Sequence, residues 1–553
     1  MATGLITAFV AIGVAQLVAG LTGPQFAPVV AVGGAAIDNA PPPVKNFAIS
    51  AFGSNDKRVL VAGILVILAV FAALIGVAAL HRLALGLAGL AVFTLIGLLA
   101  ALTRPDFGAI DALPVLLGAA AGAYTMSRLV KAASATERAL SAPPPAVTAG
   151  LPPGSPERPG TASRPPGTAA AGAGDGPDTG ASWVPAGPPP RAAGPASPPG
   201  RRAFLITGSV AVGIAGASAL IGQRLSGPSS AVVRARTTLR FPPPVHPAPP
   251  LPAGADLHIK GLSPFITPNR SFYRVDTAII LPEVDPSSWQ LRIHGMVDRE
   301  ISITFADLLR MPLIEDYITL CCVSNPVAGP YIGNARWLGA SLARLLRSAG
   351  IQSGADQLLC TSVDGFTSGT PVQVVMDGRD ALVAVAMNGA PLPVAHGFPA
   401  RLVVPGLYGY VSACKWVTDI NVTTFADAQA YWVPRGWSQQ APIKTESRID
   451  VPNGSGPVTT GRTQVAGVAW AQHKGIDAVE VRVDRGPWQR ARLAAVPGID
   501  TWRQWVWDWD ARPGNHVIEA RATDATGYTQ TALQAPPEPN GASGYPMVSV
   551  SVL

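Results

Sequence analysis

At 553 residues, 48% hydrophobic but only 14% charged, with a mean hydropathy of +0.29, the chain is too long for one core and too apolar for an ordinary soluble protein. Its net charge of +7 is modest for that length, and no dense Lys/Arg run is interleaved with aromatics, so nucleic-acid binding has no support. Four cysteines, Cys321, Cys322, Cys360 and Cys414, exclude a disulfide-built scaffold, and no C-x-x-C pair suggests structural zinc.

In chain order, residues 5–21, 59–80 and 83–102 are apolar runs of the length that crosses hydrocarbon. Only His81 and Arg82 separate the last two, which predicts a helical hairpin. Residues 112–126 are shorter and rich in Gly and Ala, a fourth span that packs closely against neighbours, with a re-entrant or interfacial segment as the alternative. Residues 1–132 are therefore expected to form a four-helix transmembrane region. The stretch 133–200, dominated by Pro, Gly, Ala and Ser, cannot bury enough apolar surface to offset its ordering entropy and is expected to be a disordered linker. A fifth span is expected within 201–224.

Arg82, Arg128, Lys131, Arg201 and Arg202 flank the spans on what should be the cytoplasmic side, which places the N-terminus inside and everything beyond the fifth span outside. Lys57 and Arg58 run against that pattern. Residues 225–255 form a Pro-rich stalk, and 256–440 has the mixed composition of a globular region. From about Ala441 the pattern changes again: short alternating runs at 465–471, 479–483, 502–509, 517–522 and 547–552 predict a β-sandwich of about 100 residues.

Two segments concentrate the chemistry. Ile318–Asn325 is an apolar β-prone run that ends in Cys321-Cys322 and gives way to turn residues, so a thiol sits at a strand mouth. There it can act as a nucleophile, a soft-metal ligand or a redox thiol, or be a buried, inert cysteine. The block from His396 through Arg401 to Lys415-Trp416 gathers an imidazole, a guanidinium and an ammonium around turns. That set suits an anionic ligand, and equally describes solvated loop charges.

These segments, with 362–369 and Met387-Asn388-Gly389-Ala390-Pro391-Leu392-Pro393, resemble in order and spacing the molybdopterin-binding domain of the sulfite-oxidase superfamily. Gly467-Val468-Ala469-Trp470 and Asp484-Arg485-Gly486-Pro487-Trp488 resemble that family's immunoglobulin-like C-terminal domain, so the resemblance covers 256 to 553. It implies a multi-domain chain: transmembrane helices, an α+β molybdopterin domain (256–440) and an immunoglobulin-like, dimerisation-type β-sandwich (441–553). It implies Cys322 as the thiolate that ligates molybdenum. Tyr273, Arg274, His396, Arg401 and Lys415, with Ser362 and Ser412 as weaker matches, would hold the molybdopterin. Arg274 and Tyr431 are candidates for orienting substrate, although the 430–437 stretch departs from the sulfite-oxidase pattern around the active-site tyrosine. No haem-binding domain precedes the catalytic region and His81 is the only histidine near the spans, so no haem is expected in this chain. Electrons would then pass through a separate cytochrome or quinone-linked protein, and a homodimer is implied by analogy.

Arg201-Arg202-Ala203-Phe204-Leu205 reads as a positive-inside anchor and also resembles a twin-arginine export signal, a route suited to a domain loaded with cofactor before it crosses. The expectation is a membrane-anchored extracytoplasmic oxidoreductase performing oxygen-atom transfer on a small oxyanion or sulfoxide. The alternative is a non-catalytic receptor with a vestigial pocket.

Overall fold

The computed structural model describes residues 1–41, 44, 47, 51–52, 56–103, 108–141, 199–225 and 230–553. The N-terminal region contains α1 (Ala2–Thr22), α2 (Pro28–Asn39), α3 (Asp56–His81), α4 (Leu83–Leu102), α5 (Leu113–Ser141) and α6 (Pro199–Leu225). Five of its helices are long and apolar enough to cross a membrane. The short α2 was not anticipated. Of the expected linker 133–200, the first residues are helical, because Ala-rich sequence carries α5 on to Ser141, and positions 142–198 lie outside the described residues. So does the side chain of Arg201, whereas Arg202 is exposed.

Small residues set the helix packing. A Cβ on Gly4 would strike the Ala72 carbonyl of α3, and one on Gly13 would come within 2.6 Å of the Ala215 carbonyl of α6. Gly118 of α5 meets the Ala11 carbonyl in the same way, and Gly222 of α6 meets that of Gln16. The central helix α1 thus has backbone-close neighbours on several sides, which only Gly and Ala permit. The pairings also fix direction. Gly208 lies by Ile6 and Gly222 by Gln16, so α6 runs parallel to α1. Gly122 lies by Thr7 and Gly118 by Ala15, so α5 runs antiparallel. By the same reasoning α3 opposes α1 and α4 opposes α3. The ends at Thr22, Asp56, Leu102, Leu113 and Leu225 therefore share one end of the bundle.

Beyond the bundle, α7 (Ser230–Thr238) and the extended chain after it do not project as the expected stalk. Val232 is buried, Arg236 Nε donates to the Leu392 carbonyl (3.0 Å), and Val245 and His246 exchange backbone hydrogen bonds with Leu313 and Glu315. Proline lacks an N–H, but its neighbours keep theirs, and here they pair with an open strand edge.

Residues 290–423 carry two five-stranded sheets. One has the order β2 (Ile301–Thr304), β1 (Gln290–Gly295), β10 (Val417–Thr423), β5 (Gln357–Ser362), β6 (Thr367–Pro371), with β1 and β10 parallel. The other runs β3 (Leu313–Cys321), β4 (Ile332–Ser341), β7 (Leu382–Met387), β8 (Ala390–Pro391), with β9 (Arg401–Val403) also on β7. Both β7 and β9 are buried throughout; β7 is an unbroken apolar sequence, as such burial favours, whereas β9 opens on the buried Arg401.

Downstream, β11 (Glu446–Val451), β12 (Gly461–Trp470), β16 (Arg503–Ala511) and β15 (Arg492–Leu493) form a four-stranded antiparallel sheet. It shares a core with a second sheet of β14 (Gln489–Arg490), β13 (Ile476–Val483), β17 (Gly514–Asp524) and β18 (Met547–Val552). The alternating runs predicted from sequence fall on β12, β13, β16, β17 and β18. Val468, Trp470 and Trp502 leave this core and pack into that of the preceding sheets, so the two β regions are joined by apolar contact.

Candidate functional site

Cys322 follows the last residue of β3. Its backbone N–H donates to the Tyr331 carbonyl (2.9 Å), extending the β3–β4 ladder by one step. The loop between is folded by Asn325, whose N–H donates to the Cys322 carbonyl (3.1 Å) and whose Oδ1 accepts from the Tyr331 N–H (2.8 Å). Arg448 of β11 braces the same loop through the Gly329 carbonyl (3.0 Å). Strand alternation then separates the paired thiols: Cys321 enters the core, and Cys322 lines a cavity of about 370 Å³.

The segment carrying Tyr273 and Arg274 is tied down by an Asn-Gly turn between β7 and β8. Asn388 and Gly389 both have positive φ (53° and 77°), and Asn388 Nδ2 donates to the Thr267 carbonyl (3.0 Å) and to Asn269 Oδ1 (2.7 Å). Phe272 then sits edge-on to Trp337 and to the His396 ring (centroids 5.8 and 5.6 Å apart). Tyr273, Arg274, Ser362, His396, Arg401 and Lys415 line the same cavity as Cys322.

Electrostatics give the cavity its character. The buried carboxylate of Asp276 accepts from Arg274 Nε (2.7 Å), Lys415 Nζ (2.6 Å) and Lys57 Nζ (2.6 Å). Burial alone would raise its pKa, but Lys415, Arg274 and Lys57 outweigh burial and hold it well below the usual carboxylate range. Arg401, also buried, donates to the carbonyls of Leu402 (3.3 Å), His396 (3.3 Å) and Ala413 (3.2 Å) and lies 5.2 Å from the Trp337 ring. Among the described residues its partners are thus carbonyls and a π face, not a carboxylate. Burial lowers Arg401 to about 10 and Lys415 to about 8, the latter against the pull of Asp276. Burial, then Arg401 and Lys415, push His396 down to about 3, so at neutral pH it is a neutral ring. Burial raises the Cys322 thiol, partly offset by hydrogen bonds from Ser324 and the charge of Lys415.

Two of the residues expected from sequence lie elsewhere. Ser412 donates to the carbonyls of Leu407 and Tyr408 (both 3.0 Å), closing a helical turn behind the cavity. Tyr431 faces the helical region, its hydroxyl 2.7 Å from Asp38 Oδ1 of α2, while its neighbour Trp432 joins the cavity wall with Trp437, Tyr410 and Phe366. Sequence reasoning missed Asp276, although it lies only two residues beyond Arg274. It also missed Ile37, Lys57 and Leu60, which come from the helical region to line the cavity. Lys57 meets its partner across 219 residues, a pairing that leaves no local signal.

The cavity fits an anionic, metal-bearing organic group. Arg401, Lys415, Arg274 and Lys57 bring four positive charges, and Asp276 returns one negative, leaving the lining cationic. Burial raises Asp364, the other carboxyl in the lining, which weakens it as a second counter-charge. Among the described residues no group of three or more His, Cys, Asp and Glu could hold a metal, so a metal on Cys322 would take its other ligands from a non-protein group.

Comparison with known proteins agrees with this chemistry. Residues 278–432 match the oxidoreductase molybdopterin binding domain. Sulfite oxidase of Gallus gallus is 30% identical over 290 residues, covering 44% of this chain and 62% of that protein. Mitochondrial sulfite oxidase of Mus musculus is 28% identical over 286 residues, 44% of this chain and 52% of that one. The chain thus spans less than two thirds of these relatives' length. Among solved structures, the sulfane dehydrogenase SoxCD from Paracoccus pantotrophus superposes with a TM-score of 0.46 at 24% identity, covering 52% of this chain and 83% of that one.

Proposed function

From the premise that residues 278–432 are a molybdopterin-binding oxidoreductase domain of the sulfite-oxidase superfamily, we propose that the chain is a membrane-anchored, extracytoplasmic molybdenum-cofactor oxidoreductase. Its reaction is a two-electron oxygen-atom transfer on a small oxyanion or sulfoxide. The observation that carries this reading is the cavity in which a strand-end thiol, Cys322, lies with a buried guanidinium, Arg401, that has no carboxylate partner among the described residues.

Cys322 would hold the metal, and Arg401 and Lys415 would hold the anionic part of the pterin, with His396 as a neutral hydrogen-bonding ring. Bound there, the group supplies the two-electron couple. The protein's own part is electrostatic and steric. Asp276 keeps Arg274 and Lys415 in place as fixed cations. Tyr273, whose phenol burial raises well above its ordinary value, stays a hydrogen-bond donor at neutral pH. The aromatic wall of Trp432, Trp437 and Tyr410 excludes water from one side.

The contact of Lys57 with Asp276, with that of Tyr431 with Asp38, supports one common side for α2, the start of α3 and the catalytic region, as the extracytoplasmic reading requires. Lys57 and Arg58 stood against the charge pattern; Lys57 now has a carboxylate there to meet. The facing four-stranded sheets support the immunoglobulin-like reading of 441–553, and the homodimer follows from that resemblance by analogy. Electrons pass through a separate cytochrome or quinone-linked partner, and the twin-arginine-like Arg201-Arg202 pair fits export of a loaded domain.

The test is molybdenum per full-length chain, purified in detergent from a host that makes the pterin cofactor. About one metal per chain is expected. Cys322→Ser is expected to abolish turnover and alter the metal's spectrum while the fold is kept. A well-folded protein without metal, from a host of confirmed cofactor supply, would instead establish a vestigial pocket.

A further inference from the structure

The helical region does more than adjoin the cavity. Ile37, in the last turn of α2, and Leu60, at the close of the first turn of α3, are part of its lining. Two further ties hold them there. Tyr431 donates to Asp38 Oδ1 (2.7 Å) and Arg435 Nη2 to the Asp38 carbonyl (3.0 Å); Lys57 Nζ reaches Asp276 (2.6 Å) and the Ala278 carbonyl (2.7 Å). Gly33 of α2 lies so close to the Ile279 side chain that a Cβ there would sit 2.9 Å from it. A simple tether needs none of these contacts.

The wall they make is apolar, and its cation is engaged. Lys57 is held by Asp276, and Ile37 and Leu60 present hydrocarbon. Leu60 also belongs to a helix whose apolar stretch Lys57–His81 is long enough to cross a membrane, so the cavity wall continues directly into the outer surface of a span. A small, strongly hydrated anion gains nothing from such a wall, because desolvating charge beside hydrocarbon is costly. A molecule with a hydrocarbon body does gain.

Building on the oxidoreductase reading, we propose that α2 and the first turn of α3 form one wall of the reaction cavity, and that the site binds an amphipathic molecule taken up at the lipid boundary. Its polar, oxygen-bearing end faces the Cys322 side, and its apolar body lies against Ile37 and Leu60.

The test uses the full chain in nanodiscs, with molybdenum content measured first. Binding of a homologous series of alkyl methyl sulfoxides, from dimethyl to octyl methyl, is followed by calorimetry for the native protein and for Ile37→Gln and Leu60→Gln, alone and combined. Native affinity is expected to rise up to about fourfold per methylene until the wall is covered. The double variant should lose most of that gain along the series. Partitioning into lipid is common to all the proteins and cancels between them. An equal gain in native and variants, no gain with chain length, or no binding of any member would overturn the inference. The single variants serve if the double one fails to retain metal. Absence of metal from the native chain would count against the oxidoreductase reading instead, which keeps the two failures apart.

Discussion

The helical and β regions are built inside out relative to each other. In the helices most buried positions are small: Ala19, Ala101 and Ala215 are 0% exposed, with Met126 and Leu129 of α5 the large exceptions, while Val66, Ile67 and Leu74 are 57–64% exposed. In the β regions the largest side chains are innermost, with Trp337, Trp470 and Trp505 fully buried. Water drives large apolar groups together, and hydrocarbon does not. The helical region therefore coheres by letting backbones touch and the β regions by filling volume.

Four substitutions probe this contrast, from the largest expected effect downward. Gly4→Leu puts a side chain where the Ala72 backbone already lies, so α1 and α3 must part; loss of the monodisperse detergent-purified species on size exclusion is expected. Survival of the native elution profile would show that this close approach is dispensable. Trp337→Ala empties a fully buried indole site, removes the hydrogen bond to the Ile318 carbonyl and uncovers Arg401; a loss of about 3–5 kcal/mol in chemical denaturation is expected.

Glu446 tests how dry the β interior is. Burial raises its carboxyl to about 8, against an ordinary value of 4.5. As pH climbs from about 4.5 to 8 the unfolded chain releases this proton and the folded chain keeps it, so stability falls across that window. Glu446→Gln should match the native protein at pH 5 and exceed it at pH 8 by roughly 1–4 kcal/mol, read as a difference in melting temperature. A constant offset at both pH values would mean that the side chain titrates normally. Smallest is Leu74→Ala on the outer face of α3, expected to change stability within about 0.5 kcal/mol. A loss as large as that of Trp337→Ala would place a packing partner on that face.

What sequence could reveal follows the same division. The long spans were legible because hydropathy depends only on local composition, and α4 occupies the very run, 83–102, that composition picked out. The strands of the last two sheets were legible because period-two alternation is local as well, as in Val479, Val481 and Val483. By contrast α2 has only twelve residues, Gly, Ala and Val among them, too short for a span signal. At the site, Cys322, Arg401 and Lys415 stood out through their motifs, but Asp276 became visible only when three cations from distant segments converged on it. Tyr431, a candidate from sequence for orienting substrate, instead turns its hydroxyl to α2, a contact between residues 393 apart.

One packing detail bears on how the protein is made. The groove of α1 that receives α6, at Gly13 and Gln16, is filled by a helix lying some sixty residues beyond α5. During synthesis the first five helices are complete well before α6 emerges, and until then that stretch of α1 lacks its partner. The bundle can reach its final packing only once the helix that leads into the β regions has docked, so the helical region is completed by the segment that joins it to them.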